Sequence, residues 1–124
     1  MKESRLQRIN EEVREVLSQI IQRDLNDPRL DGAFITILKV DVDNELDFAT
    51  TYVSIYNVQD KQATFNILQS CAGYIRKLLA QKISLRKMPV IRFVLDKNEE
   101  YSERINKVLA SLEIPKDDEE NGAN

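Results

Sequence analysis

The sequence predicts an α+β domain in which helices cover one face of a three-stranded sheet. Three observations carry that expectation. Stretches with apolar residues at helical spacing alternate with shorter stretches rich in β-branched and apolar residues. Their order is helix, strand, strand, broken helix, strand, helix, which packs best as a sheet with helices laid against it. With 124 residues and 42% hydrophobic content, the chain fits one compact domain with a real core.

Ser4 and Gln7 have the spacing of a capping box, and Leu6, Ile9, Val13, Val16, Leu17, Ile20 and Ile21 follow at intervals of three and four. A helix is expected from Ser4 to about Asp24. Asn26-Asp27-Pro28 stops it, because proline disfavours helical geometry in the residue before it. After a turn at Asp31-Gly32, residues 33–42 read as a strand. Asp43-Asn44-Glu45 reads as a polar turn, and a second strand is expected from about Leu46 to Tyr56. Ala49, Thr51, Val53 and Ile55 share one of its faces, and Phe48, Thr50, Tyr52 and Tyr56 the other. Together the two strands make a hairpin.

A long helical region begins at Asp60, with Ala63, Ile67, Leu68, Cys71, Ile75, Leu78, Leu79 and Ile83 at helical spacing and an interruption at Gly73. Pro89 ends it. Val90 to Leu95 is the third strand, and Glu99 to Leu112 a last helix with Tyr101, Ile105, Val108, Leu109 and Leu112 on its apolar side. The domain is expected to fill residues 1–113. Residues 114–124 should form an acidic, disordered tail.

Composition narrows the function. The chain has no histidine, which removes the commonest general base and metal ligand. A lone cysteine, Cys71, builds neither a disulfide framework nor a zinc site, and fits a reducing cytoplasm. The charged start lacks a signal peptide's apolar stretch, and no apolar run is long enough to span a bilayer. Neither a P-loop nor a dinucleotide fingerprint is present. Asp41, Asp43 and Asp47 surround the hairpin turn but lack the glycine and terminal glutamate of a calcium loop, so a solvated turn is the better reading. The expectation is a non-enzyme that needs no metal or cofactor.

The net charge of −3 hides an asymmetry. Residues 113–124 carry five acids and one base, and without them 17 basic residues face 16 acidic ones. Residues 61–95 contain no acid at all but seven bases: Lys61, Arg76, Lys77, Lys82, Arg86, Lys87 and Arg92. Such a stretch attracts a polyanion, whose displaced counterions make binding salt-sensitive. The competing reading is a solvated helix face with acidic partners from elsewhere in the fold, such as Glu12 or Glu15. Gly73 lies three and four residues before Arg76 and Lys77, on one helix face. A gap without a side chain beside two cations would admit a sugar–phosphate backbone. Alternatively, Gly73 only kinks the helix so that both halves pack on the sheet. Arg5 and Arg8 either extend the basic surface or, for Arg8, pair with Glu12. Arg29, in Asp27-Pro28-Arg29-Leu30, either reaches RNA or ties down its own loop.

Several of these segments resemble bacterial ribosome-binding factor A, over about residues 3–115. The resemblance rests on the opening arginines with their amphipathic helix, Asp27-Pro28-Arg29-Leu30 and Asp47-Phe48-Ala49. It continues through Gly73-Tyr74-Ile75-Arg76-Lys77-Leu78-Leu79 and Leu85-Arg86-Lys87-Met88-Pro89-Val90-Ile91-Arg92-Phe93. It implies a type II KH-like domain whose helix-pair loop is replaced by an Ala-x-Gly kink, here Cys71-Ala72-Gly73. It also implies an assembly factor that binds the immature small (30S) ribosomal subunit and its 16S rRNA. Such a factor aids late maturation and 5′-end processing, matters most in the cold, and leaves before translation. The RNA contacts are then expected from Arg5, Arg8, Gly73, Arg76, Lys77, Lys82, Arg86 and Lys87, in a protein that is monomeric when free. The alternative is a protein–protein adaptor that uses the sheet face or hairpin edge. A carboxylate-based hydrolase is disfavoured by the lack of clustered catalytic groups.

Overall fold

The structure, a computed structural model, describes residues 3–96. Lys2, the helix expected over 99–112 and the acidic tail lie outside the described residues.

Helix α1 runs over Glu3–Gln19 and continues as a π-helical turn, Ile20–Asp24, closed by the Leu25 N–H on the Ile20 carbonyl at 2.8 Å. Ser4 lies inside the first turn and not at the cap, a shift within the usual fraying of helix ends. Val13, Leu17 and Ile20 are fully buried, which confirms the apolar stripe. Two side chains fasten this element to the sheet. Asn10 Oδ1 accepts from the Val42 N–H at 2.8 Å, and Gln22 Nε2 donates to the Ile35 carbonyl at 2.9 Å.

Strands β1 (Phe34–Val42) and β2 (Phe48–Tyr56) pair antiparallel, and β3 (Val90–Leu95) joins β2 in parallel, giving the order β1-β2-β3. The register slips between Ile37 and Lys39, so Leu38 forms a bulge. The sequence explains it. Core-facing residues fall at Ile35 and Ile37, then at Val40 and Val42, out of phase by one. A bulge absorbs that extra residue and keeps all four facing inward.

The hairpin turn is longer than expected, residues 43–47, and β2 starts at Phe48 rather than Leu46. Asp43 organises it, its Oδ1 accepting from the N–H groups of Asp47 (2.7 Å) and Phe48 (3.1 Å). Leu46 adopts φ 60° yet is 1% exposed. The left-handed conformation costs a leucine roughly 1–2 kcal/mol. Full burial of its side chain contributes about 1.5–3 kcal/mol and offsets the strain.

Helix α2 (Lys61–Ser70) is capped by Asp60, whose side chain accepts from the Ala63 N–H. Its buried residues are Thr64 and Leu68; Ala63, expected on the apolar side, is exposed. Helix α3 (Ala72–Lys82) buries Ala72, Ile75 and Leu79. All three helices contribute to one core with Ile35, Ile37, Val40, Val42, Ala49, Val53, Ile55, Ile91 and Phe93, which share one face of the sheet. No helix among the described residues is long and apolar enough to cross a membrane.

Candidate nucleic-acid interface

The break between α2 and α3 falls at Cys71, two residues before the interruption expected at Gly73. Cys71 has φ −88° and ψ −1°, a geometry open to any residue, so glycine's freedom is not what breaks the helix. The break is pinned at both ends. The Cys71 N–H reaches the Leu68 carbonyl at 3.0 Å, and its carbonyl accepts from the Ile75 N–H at 2.9 Å. Its thiol donates to Asp27 Oδ2 at 3.6 Å. Ala72, next in the kink, is 9% exposed and packs into the core. Gly73 belongs to the regular first turn of α3, and a Cβ there would meet nothing within 4 Å. The fold does not need this glycine for space.

Asp27 joins the break to the preceding turn. Its Oδ1 accepts from the backbone N–H and Nε of Arg29, both at 3.0 Å, and its Oδ2 from Arg29 Nη2 at 2.6 Å. It thereby caps a short 3-10 turn, Pro28–Leu30. The Arg29 side-chain hydrogen bond, then its backbone hydrogen bond, hold the Asp27 carboxyl well below the usual carboxylate range. Burial, then the hydrogen bond to Asp27, push the Cys71 thiol up, so it stays protonated at neutral pH. Arg29 therefore ties its own loop.

The seven bases that look like one stripe in sequence divide into four groups by what they meet in the fold. Lys77, on the Gly73 face of α3, and Arg86, in the loop to β3, are exposed with no partner among the described residues. Lys82 meets Asp24 at 3.2 Å and Lys87 meets Asp47. These are the acids from elsewhere in the fold that the alternative reading required, though neither is Glu12 or Glu15. Both pairs are at least partly exposed, and exposed pairs contribute ~0–1 kcal/mol, so a phosphate can compete for either lysine. Arg76 is committed differently. Its Nε donates to the Pro89 carbonyl at 3.0 Å and its Nη2 to the Met88 carbonyl at 2.6 Å, which fixes the entry to β3. The expected phosphate contact thus also holds a loop.

On α1, Arg5 and Arg8 are exposed without a partner among the described residues, and the Arg8–Glu12 pair is not formed. Glu11 instead pairs with Arg14 at 2.7 Å. The remaining two bases of the acid-free stretch lie against aromatic rings: Arg92 is 4.0 Å from the centroid of Phe48, and Lys61 is 5.3 Å from Tyr56. Lys39 stands 5.8 Å from Tyr52. Phe48, Tyr52 and Tyr56 all project from the sheet face opposite the core. Their shared face is readable from the period of two in β2, but the partner cations come from three other segments and carry no local signal.

Among the described residues no three acidic or cysteine side chains group as a metal site. Asp43 is engaged by backbone and Asp47 by Lys87, so they do not converge with Asp41. A cleft of about 230 Å³ beside the π-helical turn, lined by Gln22, Asn26, Asp27 and Asp31 among others, is small beside the ~300–1,000 Å³ of typical ligand pockets.

A helix, a hairpin, a broken helix pair and a parallel third strand, with all the described helices on one sheet face, make a type II KH-like domain. Comparison with known proteins specifies it further. The family model for ribosome-binding factor A matches residues 5–109, and the chain belongs to that family. It is 43% identical over 122 residues to ribosome-binding factor A of Caldicellulosiruptor bescii, covering 96% of this chain and 92% of the relative. A solution structure of a Thermotoga maritima protein assigned to ribosome-binding factor A superposes with a TM-score of 0.66 at 30% identity, covering 78% of this chain and 92% of that one. A Thermus thermophilus ribosome-binding factor A, fitted into a cryo-electron-microscopy map of its complex with the 30S subunit, gives a TM-score of 0.55 at 21% identity, covering 68% and 88%.

Proposed function

We propose that the protein is a ribosome assembly factor that binds the immature small (30S) subunit, contacts its 16S rRNA and aids late maturation and 5′-end processing. Family membership carries this reading, and the small-subunit complex of the Thermus thermophilus relative supports the choice of partner. The protein is cytoplasmic, monomeric when free, and performs no catalysis. Its mechanism is differential affinity: it favours whichever rRNA conformation it binds better.

The α3 face and the following loop are the RNA-facing surface in this reading. Gly73 leaves open space, Lys77 and Arg86 offer uncommitted charge, and Lys82 and Lys87 exchange weak carboxylate pairs for phosphate. Arg5 and Arg8 extend the surface from α1. Arg76 contributes charge while holding the loop. Co-sedimentation with isolated small subunits, large subunits and mature ribosomes across a salt series tests the reading. Salt-sensitive binding to small subunits, strongest for immature ones, is the expected result. Binding to none of the three would overturn it.

A protein–protein adaptor is the second reading, and the exposure of Phe34, Leu38, Phe48 and Val90 favours it. Its binding would survive nuclease treatment and vary little with salt.

A further inference from the structure

Phe48 opens β2 and Val90 opens β3, and the parallel register sets them side by side. Both project from the sheet face opposite the core and stay open to water, at 40% and 48% exposure. Further along β3, Arg92 shares that face and holds its guanidinium 4.0 Å from the centroid of the Phe48 ring. Arg92 is exposed and meets no acid among the described residues. The core does not need this corner, since β3 joins it through Ile91 and Phe93.

We infer that the Phe48–Arg92 pair is a stacking site for an unpaired RNA base. The inference rests on the reading that the protein contacts rRNA, and it narrows that contact to a single-stranded segment.

Chemistry selects this occupant. An aromatic ring and a guanidinium plane are the surfaces on which bases splayed out of single strands stack. A duplex keeps its bases stacked on one another, so it cannot lay one on a sheet. The adjoining cation strengthens the contact with a base and attracts the phosphate attached to it. An apolar partner would instead have to strip water from Arg92 and leave its charge unpaired, which is costly.

Position agrees. The Val90 N–H donates to the Asp47 carbonyl at 2.9 Å, and Lys87 pairs with the Asp47 carboxylate. The residue before Phe48 is thereby joined to the loop that carries Arg86 and Lys87. Arg76 holds the same loop through the Met88 and Pro89 carbonyls. A strand lying on Lys77 and Arg86 can therefore round the edge of β3 and place a base on Phe48. Asp41 is the acid on this sheet face. It lies opposite Thr50, which in turn lies opposite Arg92. Two strand spacings, ~9.6 Å, thus separate Asp41 from Arg92. Phosphates are favoured on the β3 side, next to Lys87 and Arg86.

The test uses the full chain and a short unstructured RNA oligonucleotide, alone or annealed to its complement, across a salt series. Phe48→Ala should weaken single-strand binding about 5- to 100-fold, the scale of one lost base stack. Duplex affinity and the dependence of log affinity on log salt should not change. Phe48→Tyr keeps the ring and should bind like wild type. Arg92→Lys keeps the charge but loses the plane, and should fall between the two. A variant that preserves bulk reads the stack directly. The chain has no tryptophan, so Phe48→Trp puts a single indole at the site. Single-stranded RNA should quench its emission, and the duplex should not. No quenching, with Phe48→Ala binding like wild type while Lys77→Glu with Arg86→Glu loses affinity, would overturn the stacking site and leave the rRNA reading standing. Failure of the wild type to bind RNA or small subunits would remove both. Phe48-dependent binding to RNA-free ribosomal protein would assign the corner to a protein partner and equally overturn the proposal.

Discussion

Leu46 holds a left-handed backbone conformation only because its side chain is buried. Truncation to alanine keeps the strain and loses the burial, so Leu46→Ala should destabilise by about 2–5 kcal/mol. Leu46→Gly removes more side chain but also the strain. It should therefore cost less than alanine, an inversion of the ordinary order that urea denaturation of both variants will reveal. Asp27 gives a second test at this scale. Its carboxyl is held below its ordinary range in the folded state, so its contribution is present at neutral pH. That contribution fades as pH falls below the usual carboxylate range, where the unfolded chain takes up a proton first. Asp27→Asn should lower Tm at pH 7 and matter less near pH 3. An equal loss at both would mean that the charge is irrelevant. Gly73 is the opposite case. It lies in an exposed helical turn with open space around it, so Gly73→Ala should stabilise α3 by roughly 0.5–1 kcal/mol. A simultaneous fall in rRNA affinity would show that the gap serves a partner.

At the level of elements, the amphipathic patterns of α1, β2 and β3 are readable because period and burial agree at most positions, with the buried Ser54 on the outward phase of β2 an exception. The α2–α3 break falls at Cys71, the first residue of the Cys71-Ala72-Gly73 kink and two residues before the glycine that marks it in the sequence. The sequence shows a glycine, while the structure uses a tertiary anchor, the Cys71 thiol on Asp27, which is 44 residues away and invisible to local pattern. The π-helical turn escaped for a related reason. Its residues continue the apolar spacing of α1, and only the hydrogen bonding differs. The acid-free stretch is plain in the sequence, but its division between two sheet faces was not legible. Neither was the use of Arg76 as a clamp, because carbonyl acceptors leave no mark in a sequence. A consequence follows for mutagenesis. Arg76→Glu should lower stability by ~1–3 kcal/mol through the freed Pro89 and Met88 carbonyls. Lys77→Glu with Arg86→Glu should leave Tm nearly unchanged and weaken subunit binding. The dependence of log affinity on log salt should also flatten by about one unit per lost phosphate contact. If the Lys77/Arg86 pair binds like wild type at moderate salt while Arg76→Glu loses both binding and stability, the loop shape and not the charge would be the determinant.

For the molecule as a whole, a domain with a balanced charge total nonetheless carries localised cationic surface, because its acids sit around the hairpin and beyond residue 112. Expected partners thus follow from the distribution and not from the sum. The parallel placement of β3 has a separate consequence, in time. Phe34 to Tyr56 closes as a local hairpin, and α1 lies next to it along the chain. β3 must instead find β2 across a connection of 33 residues, from Asn57 to Pro89, so its pairing carries most of the loop-closure entropy. Non-local pairing of this kind is slow and comes late. Substitutions in the hairpin core, such as Val53→Ala, should mainly slow refolding, whereas Phe93→Leu in β3 should mainly speed unfolding. Stopped-flow chevrons of the two variants would separate these outcomes. Until Arg76 clamps the Met88 and Pro89 carbonyls, a newly made chain presents the bare edge of β2, and that interval is its window of vulnerability to misassociation.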